Sequence, residues 1–113
     1  MLIAQRDASG SGAYEWEFPG GKVEPGETAE QALVREIREE LSLEIRTIEK
    51  MGVSEFQYPG KKISLSGYLC QRIAGEIVLT EHLAFKWVTP EELGSYPLSS
   101  ADLPFIAMIL ERL

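Results

Sequence analysis

The sequence predicts an α/β (α+β) protein, a sandwich of helices on a mixed sheet, and three observations carry that prediction. Apolar and β-favouring residues gather into several strand-length runs. One stretch carries apolar residues four apart, as a single helix face does. Strands and helices follow one another without regular alternation, which argues against a repeated strand–helix unit.

Taken in order, Met1–Arg6 (MLIAQR) reads as a strand, followed by a Gly/Ser turn in DASGSG. Tyr14–Phe18 (YEWEF) alternates aromatic and acidic residues, as a short half-buried strand would. Pro19-Gly20-Gly21 breaks regular structure. Thr28 is a natural N-cap for a helix to about Leu41, with Ala29, Leu33, Ile37 and Leu41 facing the core. Strands over Ile45–Tyr58 and Lys62–Ile73 flank Pro59-Gly60-Lys61, a hairpin turn. Ala74-Gly75-Glu76 turns the chain again, and Ile77–Leu79 and Phe85–Val88 are short strands. Thr89-Pro90-Glu91-Glu92 has capping-box spacing with Pro at the first helical position. A last helix runs from about Asp102 to Arg112, with Asp102 as its N-cap.

The 113 residues suit one domain spanning the whole chain. A net charge of −7 argues against direct nucleic-acid or membrane-surface binding, which calls for a basic face. No apolar run reaches the roughly 18 residues of a membrane span. Cys70 is the single cysteine, so no disulfide framework or cysteine metal site exists, and a buried structural thiol is expected. The N-terminus lacks the regions of a signal peptide, and a reducing cytoplasm fits.

The predicted helix holds an unusual cluster. In REIREE, Glu36 faces both Glu39 and Glu40, and like-charge pairs at that spacing cost roughly 0.2–0.5 kcal/mol each. From Glu24 to Glu44 the acidic residues are 24, 27, 30, 36, 39, 40 and 44, against only Arg35 and Arg38. A solvated acidic face is the plain reading. The glycine loop just before the helix favours another, because bare backbone there can approach a ligand closely. Mg²⁺ takes hard oxygen ligands, typically a few carboxylates with substrate phosphates and water. Three adjacent glutamates beside a free carbonyl are such a set.

From Gly21 the segment resembles the Nudix box, G-x5-E-x7-R-E-U-x-E-E-x-G-U with U aliphatic. Gly21, Glu27, Arg35, Glu36, Ile37, Glu39, Glu40 and Leu43 fit at the required spacing. Ser42 departs, standing where the pattern has glycine. A non-glycine residue in a left-handed cap costs roughly 1 kcal/mol and touches stability, not ligation. AQR at Ala4–Arg6, WEFPGGK at Trp16–Lys22, Tyr58-Pro59 with Lys61-Lys62, Glu81 before Trp87, and YPLSSADLP at Tyr96–Pro104 are similar to the MutT-type branch. The last is especially similar to its CTP pyrophosphohydrolase subgroup.

The resemblance implies a Mg²⁺-dependent hydrolase (Mn²⁺ as alternative) that splits a nucleoside triphosphate into monophosphate and diphosphate. Nucleotide-pool sanitation follows, on 8-oxo-dGTP or CTP-like substrates. It implies Glu36, Glu39, Glu40 and the Gly20 carbonyl as metal ligands, with Glu81 as an added ligand or base. Arg35 would orient the carboxylates and Glu27 would partner it. Gly21 and Lys22 would approach the phosphates, and Arg6, Phe18, Tyr58 and Asp102 would line the nucleoside pocket. Taken alone, Glu81 and His82 read as loop residues, Phe18 and Tyr58 equally as packing aromatics, and Asp102 as a cap. A capping aspartate keeps lone pairs for a base amine such as cytosine N4.

MutT-type proteins have a further apolar strand before the LIAQR strand, absent here. An uncovered sheet edge is then expected, prone to pairing with another chain. The expected state is a monomer or weak homodimer. Two other functions compete: hydrolysis of ADP-ribose or a dinucleotide polyphosphate, and a non-catalytic nucleotide-binding module.

Overall fold

The computed structural model describes residues 1–8 and 12–112. Strand β1 (Leu2–Gln5) lies between β2 (Trp16–Glu17) and β5 (Ala84–Trp87), both antiparallel to it. Its register sets Ala4 opposite both Glu17 and Phe85. Ile3 and Ala4 are fully buried, so β1 is the interior strand of this sheet. Among the described residues, the parallel component of the architecture is one bridge from Trp16 to Leu98. A second sheet is the hairpin of β3 (Glu44–Tyr58) and β4 (Lys61–Ala74). Irregularities near Glu44, Thr47 and Lys50 bend this long ribbon.

Helix α1 (Ala29–Leu41) and helix α2 (Leu103–Leu110) both pack against β3. Gly52 and Gly67 are directly paired across the hairpin. A Cβ on Gly52 would stand 2.7 Å from Met108 Sδ, and one on Gly67 2.6 Å from Phe105 Cε1. Two bare residues therefore let α2 lie flat on the ribbon. Ile3, Trp16, Val88, Leu93 and Leu98 form one apolar cluster. Ile37, Leu41 and Leu43 form another, under α1.

Several expectations need correction. The strand read over Tyr14–Phe18 shortens to Trp16–Glu17, because Tyr14 takes a left-handed backbone at φ 64°. Part of the DASGSG turn, residues 9–11, lies outside the described residues. Ile77–Leu79 is not a strand. The Val78 and Thr80 N–H groups donate to Leu41 and Glu40 carbonyls at 3.0 and 3.3 Å. The terminal carbonyls of α1 take donors that a ladder would have used. The Thr89 segment forms a 3₁₀ turn over Pro90–Ser95, in which Thr89 N–H donates to the Glu92 carboxylate at 2.9 Å. Cys70 is half-buried on β4, and burial pushes its thiol pKa up. No described helix is long and apolar enough to cross a membrane.

Candidate active site

Thr28 starts α1 by reciprocal capping: its Oγ1 accepts from Gln31 N–H at 3.1 Å, and Gln31 Oε1 accepts from Thr28 N–H at 2.9 Å. Burial of Ala32, Ile37 and Leu41 then fixes the helix rotation. Glu36 and Glu40 come to the edge of the packed face, half-buried, while Glu39 is exposed. The helix leaves through Ser42, whose left-handed backbone (φ 58°) is the one the sequence pattern assigns to glycine.

Arg35 organises this edge. Its Nη2 and Nε donate to the two oxygens of Glu27 at 2.7 and 3.1 Å, and Nη1 donates to Glu36 at 2.8 Å and Glu39 at 3.3 Å. Nη2 also donates to the Lys22 carbonyl at 3.0 Å, so one guanidinium ties the glycine loop to the helix. The hydrogen bond from Arg35 holds the Glu27 carboxyl below its ordinary range. Gly21 lies against the same edge: a Cβ there would be 2.3 Å from Glu36 Cδ. The side chain of Lys22 is exposed.

Glu40 is different. Its Oε2 is buried and has no hydrogen-bond partner. Desolvation pushes its pKa up to about 7, helped by the hydrogen bond with Glu36 and the charges of Glu36 and Glu81, against His82. Among the described residues, no three acidic, His or Cys side chains already surround one point as a metal cage does. Glu36 and Glu39 are turned onto Arg35 instead. An orphaned buried carboxylate oxygen among carboxylates nevertheless fits a hard divalent cation, which would supply the missing positive charge.

The segment after β4 is bolted to the end of α1. Thr80 Oγ1 donates to the Glu39 and Glu40 carbonyls at 3.3 Å each. This places Glu81, which is exposed, close enough for its charge to act on Glu40. His82 is a loop residue before β5, as expected, but one with a buried side chain. Its side chain is 6% exposed, and Nε2 pairs with Glu17 Oε2 at 3.1 Å. That bond, opposed by burial, raises the imidazole pKa.

The nucleoside candidates fall into two pairs. Arg6 and Tyr58 line one cleft of about 540 Å³ with Gly12, Glu15, Pro59, Lys61 and Ile63. The Tyr58 ring also packs against Phe56, with centroids 4.6 Å apart. Phe18 and Asp102 meet elsewhere: Phe18 N–H donates to Asp102 Oδ2 at 3.1 Å, and Ser99 Oγ donates to the same oxygen at 2.9 Å. The Phe18 ring stands edge-on to Phe105. Asp102 does not cap α2 through its side chain as the sequence suggests. Its own backbone is helical, which turns the carboxylate away from the first turn. Burial drives its pKa up to about 6, against the hydrogen bonds from Ser99 and Phe18.

Sequence reading missed Glu17. Its Oε1 stands 3.6 Å from Arg6 Nε while Oε2 holds His82. The alternation in YEWEF does place Glu17 opposite the buried Trp16. Nothing local names a histidine 65 positions away as its partner.

A family model described as NUDIX domain matches residues 1–109. The chain is 42% identical over 106 residues to the CTP pyrophosphohydrolase of Escherichia coli (strain K12), covering 94% of this chain and 78% of that protein. It is 34% identical over 109 residues to the 8-oxo-dGTP diphosphatase of the same strain, covering 96% and 84%. A solution structure of the E. coli ORF135 protein superposes with a TM-score of 0.86 at 41% identity, covering 97% of this chain and 79% of that one.

Proposed function

The chain belongs to the Nudix family and is a hydrolase acting on phosphoric anhydrides, and from that premise we propose a Mg²⁺-dependent nucleoside triphosphate pyrophosphohydrolase formed by one domain over residues 1–113. Its products would be a nucleoside monophosphate and diphosphate, and its substrates CTP-like pyrimidine nucleotides or 8-oxo-dGTP. The observation that carries this reading is the buried, unpartnered Glu40 Oε2 beside Glu36. A desolvated carboxyl with that much negative charge around it takes a proton or a cation, and a divalent cation would displace the proton. Similarity to a CTP pyrophosphohydrolase and an 8-oxo-dGTP diphosphatase supports the substrate class.

In this proposal Glu36, Glu39, Glu40 and the Gly20 carbonyl would hold the cation, with Glu81 added from the segment bolted to α1. When bound, the cation neutralises phosphate oxygens and acidifies a water. Arg35 fixes the directions of Glu36 and Glu39 and keeps the glycine loop against them. The Gly21 backbone, free of a side chain, and the exposed Lys22 would receive the polyphosphate. Arg6 and Tyr58 would take the nucleoside in their cleft, and Asp102 with the Phe18 backbone would read a base edge. Little covalent work is left for the protein, so positioning and charge stabilisation dominate.

The deciding experiment is a diphosphate-release screen over canonical and oxidised nucleoside triphosphates, with and without Mg²⁺. Turnover of a pyrimidine or 8-oxopurine triphosphate only with the metal is expected. No turnover of any triphosphate, or preferential cleavage of ADP-ribose or a dinucleotide polyphosphate, would sink this proposal.

A further inference from the structure

Glu17 is one carboxylate with two occupations. Oε1 stands 3.6 Å from Arg6 Nε, and Arg6 lines the 540 Å³ cleft. Oε2 is 3.1 Å from Nε2 of His82, an imidazole almost shut off from solvent. His82 follows Glu81 on the segment that Thr80 and Val78 fasten to the Glu39, Glu40 and Leu41 carbonyls. Its Nδ1 is buried without a partner, as is Glu40 Oε2. Glu17 also feels Asp102: the charges of Glu17 and Arg6 act on that carboxyl in opposite directions.

Arg6, Glu17 and His82 form one polar chain that starts at the cleft, and its last member is the chain neighbour of Glu81 on the segment fastened to α1. Trp16 is locked in the core, so the short β2 strand has little freedom except at the Glu17 side chain. A ligand that draws the Arg6 guanidinium into the cleft weakens or redirects its pairing with Oε1, which already stands at 3.6 Å. The same rigid carboxyl group then reorients Oε2 and with it the buried His82 ring. Any shift of that ring reaches Glu81 directly, because the two are chain neighbours on a segment that Val78 and Thr80 tie to the end of α1.

We propose that Glu17 is a positioning residue that couples occupancy of the nucleoside cleft to cation binding at the carboxylate cluster, through Arg6 on one side and His82 on the other. This rests on the nucleotide-hydrolase reading of the site. Coupling between two sites requires a contiguous element that both ligands bias, and by linkage it is reciprocal.

The test uses nucleosides, cytidine and 8-oxo-2′-deoxyguanosine, because they have no phosphate with which to ligate the metal directly. Mn²⁺ affinity is measured by titration calorimetry on the intact protein with and without saturating nucleoside. The wild-type ratio should be about fivefold or more in favour of the nucleoside-bound state. In Glu17→Gln it should fall to one, with Mn²⁺ still binding. His82→Leu cuts the other end of the path, carries the same expectation, and decides the matter if Glu17→Gln does not fold. A wild-type ratio of one, absence of nucleoside or Mn²⁺ binding, or a wild-type ratio retained in the variants overturns the coupling. Diphosphate release is followed on the same preparations. Hydrolysis with a ratio of one overturns the coupling and leaves the function standing. The ratio without any hydrolysis overturns the function and leaves the coupling standing.

Discussion

Arg35 grips Glu27 with two hydrogen bonds, Nη2 to Oε1 at 2.7 Å and Nε to Oε2 at 3.1 Å, while its remaining nitrogen reaches Glu36 at 2.8 Å. Only a planar fork can serve both carboxylates at once. Arg35→Lys keeps the charge and loses the geometry. Activity with Mg²⁺ should fall about 10- to 100-fold, as is usual for a residue that orients metal ligands. A steady-state assay of the folded variant checks this, and undiminished kcat would return Arg35 to a purely structural part.

The close approach of the glycine loop gives a second prediction. Gly21→Ala places a methyl 2.3 Å from the Glu36 carboxyl carbon, so Glu36 must swing off its present position. The fold should survive, because the contact is with a side chain at the helix edge. Mn²⁺ affinity by calorimetry should drop about tenfold, the scale of a misplaced ligand. Unchanged affinity would separate Glu36 from the cation.

Asp102 supplies a pH dependence. Its pKa in the fold, about 6, lies above the ordinary 3.8, so the fold binds this proton more tightly than the unfolded chain does. Stability from this group is complete below about 3.8 and is lost as pH rises through about 6. The difference amounts to about 3 kcal/mol. Asp102→Asn cannot titrate. Denaturant midpoints of both proteins between pH 4 and 7.5 should show the wild type losing ground to the variant as pH rises. The opposite slope would show that the carboxyl is held charged.

Legibility in the sequence followed the range of the forces involved. Helix α1, its Thr28 cap and the Ile37 and Leu41 part of its buried stripe were readable because each depends on neighbours within four residues, whereas Ala32 is buried in place of Ala29. The hairpin turn and the left-handed Ser42 were local in the same sense. The Ile77–Leu79 segment misled because its donors go to the carbonyls of a helix more than 35 positions back. Asp102 had the right residue type for a cap, yet the Phe18 N–H, 84 positions away, claims its oxygen. Within the candidate site the carboxylates were visible from their spacing. Glu17 and His82 were not, since only the fold brings β2 beside the segment before β5.

Ser42 offers a test of stability alone. Its φ of 58° costs a side-chain-bearing residue roughly 1 kcal/mol, offset in part by the greater chain entropy of an unfolded glycine. Ser42→Gly should therefore gain up to about 0.5–1 kcal/mol in urea denaturation. Its kcat should not move, because the Ser42 N–H donates to the Arg38 carbonyl and its own carbonyl lies against Gly75, neither of them a group of the proposed site. A loss of stability would mean that the Ser42 side chain contributes a contact of its own.

Glu40 gives the most discriminating outcome, because stability and metal response should move in opposite directions. Its folded pKa of about 7 exceeds the ordinary 4.5, so stability is lost as pH rises through 7 and the metal-free protein at pH 8 holds a desolvated anion. Glu40→Gln removes that charge and should raise the metal-free melting temperature at pH 8 by a few degrees, the scale of about 1 kcal/mol in a domain this size. Mg²⁺ should raise the wild-type melting temperature by supplying the missing charge, since a ligand that binds only the folded state stabilises it. The variant should lose most of that rise, and Glu36→Gln should blunt it. Turnover in Glu40→Gln should fall by orders of magnitude. A variant that melts lower without metal, yet keeps the full Mg²⁺ response, would place the cation somewhere other than beside Glu40.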